Sequence, residues 1–149
     1  TAALTVLGVV YVTFFSDTFI GPFQGVLTTL GVPMAAWAGM FVADVIIRKK
    51  DYSTTDLYDA KGRYGVWNGK SFAILIVGTV LGWGLVINTA ANWLNWQGYL
   101  LFLIGGKGGS WAAANLGVIV ALIVGLVGAL LFQRGDIAKQ EADLPASEV

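Results

Sequence analysis

The run from Phe19 to Ile47 carries one charged side chain, Asp44, and as a helix rising 1.5 Å per residue it measures about 43 Å. A bilayer core is about 30 Å thick and takes roughly 20 apolar residues to cross. No ordinary soluble fold needs such a run, and three further apolar stretches accompany it, at 2–15, 71–94 and 111–133. The spans predict an all-α integral membrane protein. The run over 19–47 exceeds the membrane, so it is expected to tilt, to kink at Pro33, or to lie at the interface before Pro22.

Composition agrees. Of the 149 residues 56% are hydrophobic and 12% charged, with mean hydropathy +0.72; a soluble domain carries about 25% charge. The chain has no cysteine and no histidine, which removes disulfides, thiol nucleophiles and the common zinc ligand sets. Without clustered carboxylates as well, no enzyme is expected, and no cofactor.

Basic residues give the orientation. Arg48, Lys49, Lys50, Lys61, Arg63 and Lys70 fall in the connection before the third span, whereas the connection over 95–110 carries only Lys107. Cytoplasmic loops are enriched in Lys and Arg, so residues 48–70 and the C-terminus are expected in the cytoplasm of a multi-pass plasma-membrane protein. The first segment then runs outward, the second inward, the third outward and the fourth inward. Trp93, Trp96, Tyr99 and Trp111 flank the external connection and Tyr52, Tyr58, Tyr64 and Trp67 the internal one, as interfacial aromatics do. The tail over 134–149 is polar and is expected to lack order beyond its first turns. Thr1 and the shortness of 2–15 suggest a chain that begins within a longer polypeptide, with no secretory signal.

Few residues have the makings of a site. Asp44 sits four residues before Arg48, on the same helix face. A helix-end ion pair is one reading; a coupling role or a conformational lock are the others, since carboxylates inside spans often mark function. Gln24, Thr28 and Thr29 form a polar strip that packs against a neighbouring helix or lines a gate. Asn88, Thr89 and Asn92 read as interface polarity. Small residues recur four apart at Ala35, Gly39 and Ala43, at Gly78 and Gly82, and at Gly117, Ala121, Gly125 and Ala129, a spacing that lets helix backbones approach closely. Ser53 to Asp56 has the spacing of a helix cap. The Gly105–Ser110 run, GGKGGS, lacks the GxxxxGK[ST] spacing of a phosphate loop and reads as a flexible turn.

The stretch PMAAWAGMFVADVIIRKKDYSTTDLYDAKGRYG resembles a late-helix region of the nucleobase:cation symporter-1 family, the purine–cytosine permease group. The resemblance rests on Ala38-Gly39, Ala43-Asp44, Arg48 to Lys50, Tyr52, Asp56-Leu57-Tyr58 and Gly62-Arg63-Tyr64, with GWGLVINT and WQGYLL further on; Val45 departs, standing where many members have an aromatic. It implies the C-terminal third of a twelve-helix transporter of the leucine-transporter type, built on inverted five-helix repeats. Residues 1–48 would end the second repeat, 49–70 connect it, and 71–133 supply two accessory helices. It also implies import of a nucleobase or related heterocycle by symport with Na⁺ or H⁺. Substrate and ion sites of such a transporter lie on early helices, outside this stretch, so its partners would be lipid, the preceding helices of the same polypeptide and a small heterocyclic substrate, with no nucleic acid. Within this chain the resemblance leaves Gln24, Thr28 and Pro33 as candidates for the external gate, and Asp44 with Arg48 as an anchor. The competing reading is a small multi-helix membrane scaffold or accessory subunit without transport activity.

Overall fold

The computed structural model describes residues 2–59, 61–65 and 67–142, with the backbone alone at 3, 11, 12 and 14–19. Among the described residues there are helices and no strand. Helix α1 is Ala2–Ile47, α2 Thr54–Leu57, α3 Gly69–Gly84, α4 Leu116–Phe132 and α5 Arg134–Ala142; three single 3₁₀ turns, Asn92–Leu94, Leu101–Ile104 and Ala112–Ala114, stud the connection between α3 and α4.

The break expected between 2–15 and 19–47 is not present: α1 is helical straight through residues 16–18. Ser, Asp and Thr cost a helix only tenths of a kcal/mol each, and no glycine or proline falls between Val9 and Ile20. The two segments therefore run in one direction, which corrects the outward course of the first. Helix α1 also carries Pro22 and Pro33 in its interior without ending.

The third and fourth spans are shorter than expected. Helix α3 ends at Gly84, not at 94, and α4 begins at Leu116, not at 111. At 1.5 Å per residue they measure about 24 and 26 Å. The reason lies in the returning chain: Gly98 N–H donates to Trp83 O at 2.9 Å, Leu100 N–H to Gly84 O at 2.7 Å and Gly117 N–H to Leu85 O at 3.3 Å. Carbonyls at the helix end, without partners in their own helix, are thereby satisfied from outside. Gly98 permits the first of these contacts, since its φ is 76° and a Cβ there would stand 3.1 Å from Val86 O. Among the described residues one helix stretch, Ile20–Ile47, is by itself long and apolar enough to cross a membrane; α4 and α5 together would also qualify were they not bent by 54°.

The second half of α1 packs parallel to α4 and antiparallel to α3, and the seams are made of small residues. A Cβ on Gly117 would meet Gly82 O at 1.9 Å; one on Gly39 would meet Leu122 O at 2.1 Å, and one on Gly125 Ala36 O at 2.1 Å. Ala36, not Ala35, continues the α1 seam, fully buried with Val32 against Val86 and Ala121, while Ala35 is only half-buried. A second cluster joins Met40, Ala43, Ile74 and Ala129 nearer the charged end.

The large apolar side chains point the other way. Leu30, Met34, Trp37 and Phe41 of α1, Ile76 and Val80 of α3 and Ile119, Ile123 and Leu131 of α4 are all exposed. The helix seams hold glycine and alanine with Val32, Val86, Met40 and Ile74 beside them, whereas most of the leucines, isoleucines and aromatics lie outside.

Charge collects at one end of the bundle, and the tail belongs to it. Residues 134–142, the first turns of the tail, form α5, which docks on the end of α1: Glu141 Oε1 accepts from the backbone N–H of Lys49 and, at 3.0 Å, of Lys50, while Lys70 Nζ lies 2.8 Å from Asp136 Oδ2. Ser53 caps α2 by accepting from Asp56 N–H at 3.5 Å. The remainder of the tail, 143–149, lies outside the described residues. At the opposite end Gly105–Ser110 is pinned as well as turned, with Gly105 and Gly106 at positive φ and Lys107 Nζ donating to Asn95 O at 2.6 Å.

Candidate functional site

A polar cleft opens at the aromatic end, between α1 and the chain that links α3 to α4. Gly21, Gln24 and Thr28 form one wall; Ile87 to Ala90, Ala113 and Asn115 form the other, around a volume of about 340 Å³. Gln24 and Thr28, one turn apart, are brought together here as their spacing requires. Gly21 lets the walls meet, since a Cβ there would stand 3.0 Å from Ala90 O. Pro33 lies outside the cleft, farther along α1.

Behind the cleft sits a buried network. Asn88 Nδ2 donates to Gly25 O at 2.8 Å and to Thr29 Oγ1 at 3.3 Å, and Gln97 Nε2 donates to the same Thr29 oxygen at 2.8 Å. The Thr29 hydroxyl in turn donates to Gly25 O at 2.8 Å. Trp83 Nε1 donates to Thr29 O at 2.8 Å. This last bond explains Pro33. In an α-helix the carbonyl of residue 29 accepts from the N–H of residue 33, and proline has none. The carbonyl so released is taken by the indole of α3, whose ring meets Trp96 edge-on at a centroid distance of 5.4 Å.

Asn88 is therefore not interface polarity: it is 5% exposed and ties the extended chain after α3 to α1. Gln97 is 1% exposed, and its Oε1 has no hydrogen-bond partner among the described residues. Neither Gln97 nor Trp83 stood out in the sequence; the one available signal was an amide and an indole beside apolar spans, where each has to find a partner. The cleft itself offers amides and hydroxyls without charge. It can hydrogen-bond a neutral polar molecule in both directions, and it holds no general acid or base.

Asp44 and Arg48 stand at the other end of the bundle. Their contact is two-pronged, Arg48 Nη2 to Asp44 Oδ1 at 3.0 Å and Nε to Oδ2 at 3.1 Å, and Nη2 also donates to Gln140 Oε1 of α5 at 3.0 Å. Tyr52 donates its hydroxyl to Asp44, and its ring lies 4.1 Å under the guanidinium; Tyr64 is the second ring, at 5.7 Å. The hydroxyl of Tyr64 accepts from Ser53 N–H at 3.0 Å. Burial first, then the bond to Asp44, pushes the Tyr52 phenol above its usual range. Glu141 is held below the ordinary carboxylate range, chiefly by the N–H of Lys49. Every polar atom of the Asp44 carboxylate is engaged, so the cluster fastens α1, the 48–64 connection and α5 to one another.

Among the described residues no group of three or more carboxylates could hold a metal ion. No protein-family model, curated protein or solved structure matches the chain.

Proposed function

We propose that this chain is the closing part of a membrane transporter, a secondary active symporter that imports a nucleobase or related heterocycle with Na⁺ or H⁺. The observation that carries the membrane part of this reading is the distribution of polarity: glycine and alanine at the helix seams and buried amides at Asn88 and Gln97, while most of the large apolar side chains face outward. Water would oppose that arrangement and lipid permits it, because helix association in a bilayer rests on close packing and interhelical hydrogen bonds. Charges gathered at one end and Trp93, Trp96 and Trp111 at the other fit a bundle crossing the bilayer with α5 and the 48–70 connection in the cytoplasm. The transport part rests on the resemblance carried by residues 33–65. On that reading 20–47, 69–84 and 116–132 are the last three helices of a twelve-helix, inverted-repeat transporter, and the open cleft at Gln24 and Thr28 faces outward, where an external gate would close.

The test is uptake of radiolabelled cytosine and purines by transport-deficient cells producing the entire polypeptide, with and without Na⁺ and with a protonophore. Saturable uptake that collapses with one ion gradient is the expected outcome. Absence of uptake for every heterocycle offered, with the protein folded in the membrane, would move the reading to a scaffold or accessory subunit.

A further inference from the structure

The 54° bend between α4 and α5 opens a groove of about 390 Å³ against the end of α1. Its floor is apolar, built from Ile46 and Ile47 of α1, Leu130 of α4 and Ile137 of α5, and Lys49 and Arg134 also line it. Both cations are exposed, and neither side chain has an ion-pair partner among the described residues. Of the other cations at this end, Arg48 is engaged by Asp44 and Gln140, Lys50 by the carbonyl of Glu141 and Lys70 by Asp136, while exposed Lys139 does not line the groove. Glu141 reaches the groove too, but its Oε1 is held by two backbone N–H groups. Two cations without an ion-pair partner, against the single carboxylate of Glu141, thus leave the groove net positive over an apolar trough that opens onto exposed Ile46.

We infer that this groove binds one anionic phospholipid, its phosphodiester between Lys49 and Arg134 and the start of an acyl chain along Ile46 and Leu130. The site rests on the membrane reading above, which sets the groove at the level of the headgroups. Guanidinium matches a phosphate with two parallel N–H donors, and lysine adds a point charge. Zwitterionic lipid brings its own cation and gains less from the pair. A comparable groove between α3 and α4, lined by Ala73, Val77 and Val124, is also apolar, but its one cation, Lys70, is already paired.

Native mass spectrometry of the purified protein in an equimolar mixture of phosphatidylglycerol and phosphatidylcholine tests the inference. Wild type is expected to retain phosphatidylglycerol preferentially. Each lost cation weakens binding about fivefold, so Lys49→Gln with Arg134→Gln lowers retention roughly 25-fold, while Arg134→Lys keeps most of it and Lys107→Gln, at the far end, changes nothing. Equal retention of both lipids, or an unchanged double variant, would overturn the site. So would removal of the lipid by millimolar inorganic phosphate, which would indicate a bare anion site. A carbonate wash separates the two levels of the argument: protein released from membranes defeats the membrane reading, whereas protein that stays and shows no lipid preference defeats only this one.

Discussion

Thr29 is the residue on which two helices meet, and Pro33 is the cause. Removing the indole donor by Trp83→Phe is expected to destabilise the protein by about 1 kcal/mol or somewhat more, the worth of one hydrogen bond to a buried carbonyl. In a Pro33→Ala background, where the helix again supplies an N–H to that carbonyl, the same change costs less. Thermal unfolding of the four variants in detergent measures the non-additivity directly. Asp44→Asn acts at the other end. Arg48, with a side chain 8% exposed, then loses its counter-charge, and breaking such a pair costs about 3 kcal/mol. Uptake should fall in step with the amount of folded protein; folded protein in which uptake no longer followed the ion gradient would instead give Asp44 a part in coupling.

At the scale of elements, the seams decide. Gly117→Ala and Gly125→Ala drive a methyl into a carbonyl of the facing helix and should each cost about 1–3 kcal/mol, seen as a lower unfolding midpoint. Gly31→Ala, with open space around it, should be neutral or slightly stabilising, because alanine is the better helix former. Helix α5 has a pH signature. The Glu141 pKa is depressed in the folded state, so its contribution is present above the unfolded carboxylate range and fades as pH falls through the folded value. Hydrogen exchange of residues 134–142 should therefore be slow at neutral pH and quicken in acid, and Glu141→Gln should make it fast throughout. Much of this was legible beforehand. The Asp44–Arg48 pair and the Ser53 cap are contacts within four residues, and glycine and alanine four apart announce a seam. The ends of α3 and α4 were not, because residues 85–94 are as apolar as a helix and only the returning N–H groups of Gly98 and Leu100 stop it. The partners of Gln97 and Trp83 were hidden for the same reason: each lies more than fifty residues away. The continuity of α1 was not legible either: 2–15 and 19–47 read as separate spans, although no glycine or proline interrupts the helix between them.

For the whole molecule, the distribution of polarity makes a prediction about place. Single-tryptophan variants retaining Trp37, midway along the Ile20–Ile47 stretch and 58% exposed, should be quenched most by lipids brominated deep in the acyl chain, and those retaining Trp67 or Trp111 by lipids brominated near the headgroup. Equal quenching at all depths would count against a bundle that crosses the bilayer. The Trp83–Thr29 bond has a consequence for the order in which the molecule is built. Thr29 is made before Trp83, and until the indole is in place the carbonyl of Thr29 has neither proline N–H nor indole to satisfy it. An unpaired carbonyl in hydrocarbon costs several kcal/mol. On the membrane reading, the turn around Pro33 should stay pliable until α3 packs against it, and the nascent chain should be most vulnerable to misinsertion in the interval between the two helices.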